Sequence, residues 1–196
     1  MKKYSIIIPT HNAENWIENA LKSVCSQTVS DYELIVVCDA CTDRTAEIAE
    51  QYGSVVINVD HNRCGLSRNA GLDFASGKWV LFMDDDDKWA HNKVIETIDA
   101  NLDDNIDILY FGFMFGILGK TIQYPGHEFV AVWNKCWRRE FIGRHRFPPV
   151  HVAEDEAFHR ELMPLGPRKK YIKDVLYLYD YPRVGSLTWR NEHGMF

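Results

Sequence analysis

Asp84-Asp85-Asp86-Asp87 stand between an apolar run, Trp79-Val80-Leu81-Phe82-Met83, and Lys88-Trp89. Four carboxylates at the exit of a buried strand have the chemistry of a hard-cation site. Two like charges about 5 Å apart repel by roughly 3 kcal/mol at an effective dielectric near 20, so a cluster held by a rigid strand end needs compensation. Carboxylate oxygens suit Mg²⁺ or Mn²⁺, which complete their coordination with water and substrate phosphates rather than with a full protein cage. A phosphate-bearing ligand is therefore expected. In an arbitrary protein an Asp run is more often a solvated acidic turn, and it is the position after a strand that gives this one chemical meaning.

The elements that must place those carboxylates are legible upstream. Short β-branched runs alternate with helical patterns through the first half, the signature of βαβ units and a mostly parallel sheet with helices on both faces. Strands are expected over Tyr4 to Ile8, Glu33 to Cys38, Val55 to Val59 and the run that delivers the aspartates. Helices are expected where Trp16, Ile17, Ala20, Leu21 and Val24 keep helical spacing, after a cap at Thr42 or Asp43, and from Ser67 to Ala75, with Gly77 ending the last. In open α/β sheets ligands sit outside the carboxyl ends of the strands. Pro9, Thr10 and His11, then Asp39, then Asp84 to Asp87 all lie at such exits, so three loops converge on one rim. The second half is mixed: strands over Ile106 to Phe115, Thr121 to Tyr124 and Val130 to Trp133, with helices over Arg138 to Ile142 and Glu154 to Leu162.

Length and composition bound the rest. At 196 residues, with 46% hydrophobic and 26% charged residues, the chain suits one globular domain with a two-faced sheet. A formal charge of −6 gives no footprint for nucleic acid. Cys25, Cys38, Cys41, Cys64 and Cys136 read as reduced, mostly structural thiols of a cytoplasmic protein, without a histidine spacing for zinc. The longest apolar stretch, Ile108 to Leu118, is far short of the roughly 20 residues of a membrane helix. A soluble protein is expected, with peripheral contact at the inner face of a membrane compatible with the chain.

The order of motifs closely resembles the family 2 glycosyltransferases, inverting enzymes of the GT-A fold, over nearly the whole chain. Ser5 to Asn12 resembles their opening strand and loop. Ile35 to Asp43 is similar to their second strand, which usually ends in DDGSTD; Cys38 replaces the first of those aspartates and Asp39 keeps the second. Gly65 to Leu72 with Ala75 to Trp79, then Phe82 to Asp87, resemble the segment before the DxD metal motif and the motif itself. Val132 to Phe141 resembles the flank of the acceptor cleft, Glu154-Asp155-Glu156 the ED motif, and Tyr181 to Thr188 the segment closing the domain.

The resemblance implies a single domain, 1–196, whose first 100 residues or so bind a nucleotide-diphosphate sugar and whose remainder faces a glycan or other hydroxyl acceptor. It implies that Asp86, with Asp84, holds Mn²⁺ or Mg²⁺, Asp85 being mainly a spacer. Asp39 would recognise the base, uracil being the commonest, with His11 stacking on it. Arg68 would touch the donor or else balance the carboxylates as an ion pair, Arg183 would approach the donor, and Asp155 would take the acceptor proton, in polysaccharide or glycoconjugate synthesis. A single displacement demands no Ser or Cys nucleophile. Trp89, Trp133 and Trp137 could offer a sugar platform, with core packing at least as natural for Trp133. His145, His151 and His159 lack the convergent spacing of metal ligands. Two other readings stay open: a silent relative that binds a nucleotide sugar or glycan without turning it over, and a sugar-phosphate nucleotidyltransferase, whose Gly-rich phosphate loop is missing here.

Overall fold

Strand β1 (Tyr4–Thr10) is buried at every position, as an apolar run must be when helices cover both faces of a parallel sheet. In the computed structural model, which describes residues 3–117, 120–124 and 129–180, β1 lies between β2 (Tyr32–Asp39) and β4 (Trp79–Phe82), both parallel to it, and β3 (Val55–Val59) extends the sheet beyond β2. The sheet then turns mixed. Strand β8 (Lys135–Arg138) runs antiparallel to β4, and β6 (Ile108–Ile117), β9 (Lys169–Tyr179) and β5 (Lys88–Trp89) complete the order β3-β2-β1-β4-β8-β6-β9-β5, with β7 (Lys120–Tyr124) paired to β6.

Alternation along the strands builds two cores. Tyr4, Ile6 and Ile8 of β1 with Leu34 and Val36 of β2 meet α1 (Ile17–Cys25), α2 (Thr45–Gln51) and α4 (Val94–Asp99) on one face. Ile7, Ile35, Val37, Val80 and Phe82 meet α3 (Cys64–Phe74), α5 (Arg139–Ile142) and α6 (Glu154–Leu162) on the other. Each fully buried Ile or Phe contributes about 1.5–3 kcal/mol. Helix α3 can lie this close to β1 only because residue 71 is glycine: a Cβ there would stand 2.4 Å from Ile7 Cγ2.

Several expectations are corrected. Val130 to Trp133 is not a strand but a turn before β8; the carbonyls of Ala131 and Val132 are taken by two side chains, as described below. Gly77 does not end a helix. Helix α3 stops at Phe74, and Gly77 instead lets the chain press on β1, where a Cβ would sit 2.6 Å from the Ser5 amide nitrogen. Helix α2 starts at Thr45, whose amide donates to Asp43 Oδ1 at 3.0 Å. Strand β9 escaped the sequence because its pairing slips: Tyr110 faces Tyr171 and Gly112 faces Val175, so a bulge breaks the period of two.

Candidate active site

Strand β4 ends at Phe82, and the aspartates follow as a turn closed by the Asp87 amide on the Asp84 carbonyl at 3.2 Å. The turn is anchored from β9. Tyr177 donates its hydroxyl to Asp87 Oδ2 at 2.7 Å and accepts the Asp84 amide at 3.0 Å, while the Asp180 amide donates to Asp87 Oδ1 at 2.8 Å. Burial, with Asp84 and Asp86 nearby, pushes the Asp87 carboxyl well above the usual range. Asp87 is thus a fastening, and Asp84, Asp85 and Asp86 remain half-buried at the rim. Asp85, expected to be a spacer, accepts the Thr10 hydroxyl at 2.6 Å and ties the turn to the end of β1.

Arg68, on α3, is 3% exposed and joins Asp84, in the turn after β4, to α6. Its Nη2 donates to Asp84 Oδ1 at 2.8 Å, and its Nη1 donates to Glu154 Oε1 at 2.7 Å and to Asp155 Oδ1 at 2.9 Å. One guanidinium therefore faces three carboxylates, a combination that burial makes expensive unless further positive charge arrives. Burial pushes the Asp84 carboxyl up to about 6 despite Arg68, with Asp155 and Asp86 adding repulsion. Burial also raises the Asp155 carboxyl, Arg68 opposing and Glu154 reinforcing the shift. The other oxygen of Asp155, Oδ2, accepts the Val132 amide at 3.1 Å.

The exits of β1, β2 and β3 meet around Asp39. Its Oδ1 accepts the amides of His61 (2.7 Å) and Asn62 (2.9 Å), and its Oδ2 accepts the Arg63 amide (3.0 Å) and the Ser67 hydroxyl (2.8 Å). Burial pushes this carboxyl up, but those four donors outweigh it and hold it below the usual range. A carboxylate offers about four lone-pair sites, so the chain's own groups occupy those of Asp39. His11, exposed, donates Nδ1 to the Asp39 carbonyl at 2.6 Å. Asn12, with φ +50°, accepts the Thr42 amide at 2.8 Å. Pro9 is buried within β1 opposite Val37.

The structure therefore gathers Thr10, His11, Asp39, Arg68, Asp84, Asp86 and Asp155 at the ends of the parallel strands, and Arg183 lies outside the described residues. Trp89, Trp133 and Trp137 offer no sugar platform: all three are buried, Trp133 stacking on Tyr177 at 4.6 Å. His145 meets Glu161 and His159 meets Tyr110. Tyr177 was missed as a partner of the site, since nothing local marks it, and Glu154, read only as part of the ED motif, shares Arg68 Nη1 with Asp155. Reading the cysteines as separate structural thiols passed over the C-x-x-C spacing of Cys38 and Cys41, whose positions flank Asp39; all five thiols are free.

The donor set suits a hard divalent ion: carboxylate oxygens stand at the rim, and burial holds the Asp84 carboxyl above its ordinary range even with Arg68 beside it. Among the described residues no group of three or more His, Cys, Asp or Glu side chains converges as a ligand cage.

The model of the glycosyl transferase family 2 matches residues 5–159. The glycosyltransferase GlyA of Streptococcus pneumoniae is 27% identical over 95% of this chain, and the chain spans 31% of its length. The UDP-Glc:alpha-D-GlcNAc-diphosphoundecaprenol beta-1,3-glucosyltransferase WfgD of Escherichia coli is 34% identical over 76% of this chain and 66% of its own. Among solved structures, Staphylococcus aureus TarS 1-349 in complex with UDP-GlcNAc superposes with a TM-score of 0.85 at 24% identity, covering 96% of this chain and 61% of that one. The mannosyltransferase PcManGT of Pyrobaculum calidifontis in complex with GDP-Man and Mn²⁺ gives 0.75 at 18% identity, over 97% and 60%. These likenesses establish the GT-A fold, and the chain belongs to glycosyl transferase family 2.

Proposed function

From that membership we propose that the protein is a metal-dependent inverting glycosyltransferase that moves a sugar from a nucleotide-diphosphate sugar, a UDP-sugar first, to a hydroxyl acceptor in polysaccharide or glycoconjugate synthesis. The observation that carries this reading is the Arg68 bridge. It brings Asp84, on the donor side, and Asp155, at the start of α6, to one guanidinium. Inversion requires a leaving diphosphate on one face of the anomeric carbon and a base on the other. Asp155 would hold the acceptor hydroxyl and take its proton, its raised pKa making it a stronger base than an exposed carboxylate. Asp86 and Asp84 would hold Mn²⁺ or Mg²⁺, which when bound supplies neutralising charge for the diphosphate.

For the donor, Thr10 fixes Asp85 and His11 offers an imidazole beside the β2 exit. Asp39 would serve the base chiefly by holding the 61–63 loop in shape. Pro9 would stiffen the end of β1, and Arg183 would add charge near the diphosphate. Among the described residues no helix is long and apolar enough to cross a membrane. WfgD is named for a diphosphoundecaprenol acceptor, so a lipid-linked glycan reached from the cytoplasmic face of a membrane is the acceptor class to test first.

The deciding experiment is mass spectrometry of products across UDP- and GDP-sugars with lipid-linked and soluble glycan acceptors, with Mn²⁺ and after chelation. Transfer that needs Mn²⁺ and disappears in Asp86→Asn and Asp155→Asn supports the proposal. Transfer that survives chelation removes the metal role, and donor binding without turnover in every pairing makes the protein a silent binder.

A further inference from the structure

Lys135 is a lysine with no exposed surface, and nothing in the chemistry above uses it. It lies on β8 opposite Tyr110, with its ammonium 5.0 Å from the Tyr110 ring and 5.8 Å from that of Trp137. A buried lysine is costly unless its donors are satisfied. Here Nζ donates to the carbonyls of Phe129 and Ala131 and, at 2.8 Å, to Asn134 Oδ1. An ammonium has three protons, and these are three acceptors. All belong to the segment 129–134, which wraps around the side chain in place of pairing as a strand.

Val132 sits inside that wrap and is gripped at both ends. Its carbonyl accepts the Trp137 indole N–H at 3.2 Å, and its amide donates to Asp155 Oδ2 at 3.1 Å. The Phe111 amide ties the end of the turn to β6 through the Asn134 carbonyl at 3.1 Å. Asp155 is thus oriented by two contacts of different kinds, Arg68 on Oδ1 and the Val132 amide on Oδ2. A base needs its free lone pair aimed at the proton it takes, and an error of about 1 Å can cost on the order of 100-fold in rate.

We propose that Lys135 is a positioning residue for Asp155: it folds the 129–134 turn so that the Val132 N–H fixes the carboxylate that receives the acceptor proton. This rests on the role of Asp155 proposed above. Lysine suits the task because one compact ammonium can bridge several carbonyls that converge on a point, whereas the planar fork of arginine spreads its donors apart. The charge also acts at a distance, lowering an Asp155 carboxyl that burial raises.

The test compares Lys135→Met, Lys135→Arg, Trp137→Phe and Asp155→Asn in the full chain. The first readout is the ¹⁵N–¹H resonance of Val132, which loses its carboxylate partner in Asp155→Asn. The second is binding of UDP with Mn²⁺ by calorimetry, and the third is transfer in whichever donor and acceptor pair the product screen identifies. The expected result is a Val132 resonance displaced in Lys135→Met in the same sense as in Asp155→Asn. UDP affinity should stay within about twofold and transfer should fall at least about tenfold. Lys135→Arg should recover part of both, and Trp137→Phe should show the same pattern more weakly. If Lys135→Met does not fold, Trp137→Phe decides by the same readouts. An unmoved Val132 resonance, or a loss of UDP affinity equal to the loss of transfer, overturns the positioning role. Transfer that persists in Asp155→Asn overturns instead the base assignment on which it rests, leaving the Val132 resonance to report the contact alone.

Discussion

Replacing Asp84 by Asn should stabilise the fold at alkaline pH while removing a proposed metal ligand. In the folded chain the Asp84 carboxyl rises from 3.8 to about 6, because burial exceeds the attraction of Arg68 and both Asp155 and Asp86 repel it. At about 1.36 kcal/mol per unit the ionised form is disfavoured by about 3 kcal/mol as a ceiling. Water reaches 28% of this side chain, and screening reduces the effective figure to about 1–2 kcal/mol. The folded state holds this proton more tightly than the unfolded chain. Its contribution to stability is therefore complete below 3.8, falls as the pH climbs through about 6, and is gone above. Asn imitates the neutral form at every pH. Urea unfolding followed by tryptophan fluorescence should give Asp84→Asn and wild type nearly equal stability near pH 4 and a gap of about 1–2 kcal/mol favouring the variant near pH 8, or about 2–8 °C in Tm for a chain of this size. Mn²⁺ near pH 8 should raise wild type more than the variant, since it supplies the missing positive charge. A variant less stable than wild type near pH 8, or a gap that ignores pH, would refute the claim that the site holds unbalanced negative charge.

Asp39→Ala removes the acceptor of three amides and a hydroxyl and should cost about 2–4 kcal/mol near pH 7 by denaturant titration. Because the folded pKa of Asp39 is depressed, its share of stability is present above about 3.8 and is lost as the pH falls below the usual range; the gap between variant and wild type should narrow on acidification. Gly71→Ala drives a methyl to within 2.4 Å of Ile7, and unfolding should register about 1–3 kcal/mol of destabilisation. Tyr177→Phe strips a hydrogen bond from Asp87 and another from the Asp84 amide. It should cost about 1–3 kcal/mol and raise the Mn²⁺ concentration needed for half-maximal transfer, whereas an unchanged metal titration would reduce Tyr177 to packing.

The parallel half of the molecule was legible because two-sided burial leaves a simple mark: Ser5 to Ile8 and Leu34 to Cys38 are runs of mostly β-branched residues with no charge among them, buried at every position. Strand exits then located Thr10, Asp39 and Asp84 to Asp87 without knowledge of any contact. What binds those loops together was not legible, since the partners lie far apart in the chain. Arg68 meets Asp155 across 87 positions and Tyr177 meets Asp87 across 90. No periodicity encodes such pairs; they exist only once both cores have formed.

Val130 to Trp133 fails for a different reason, and the failure bears on function. Four apolar residues in a row satisfy every local rule for a strand. A strand, however, must hand its carbonyls to a neighbouring backbone, and Lys135 competes for the carbonyls of Phe129 and Ala131 while the Trp137 indole takes that of Val132. Residues that look like structure in the sequence are thereby diverted into a turn, and the diversion frees the Val132 amide to face Asp155. Local preference was overruled at the place where the proposed base is aimed. Departures of that kind are expected where a site, rather than the core alone, sets the requirement on the chain.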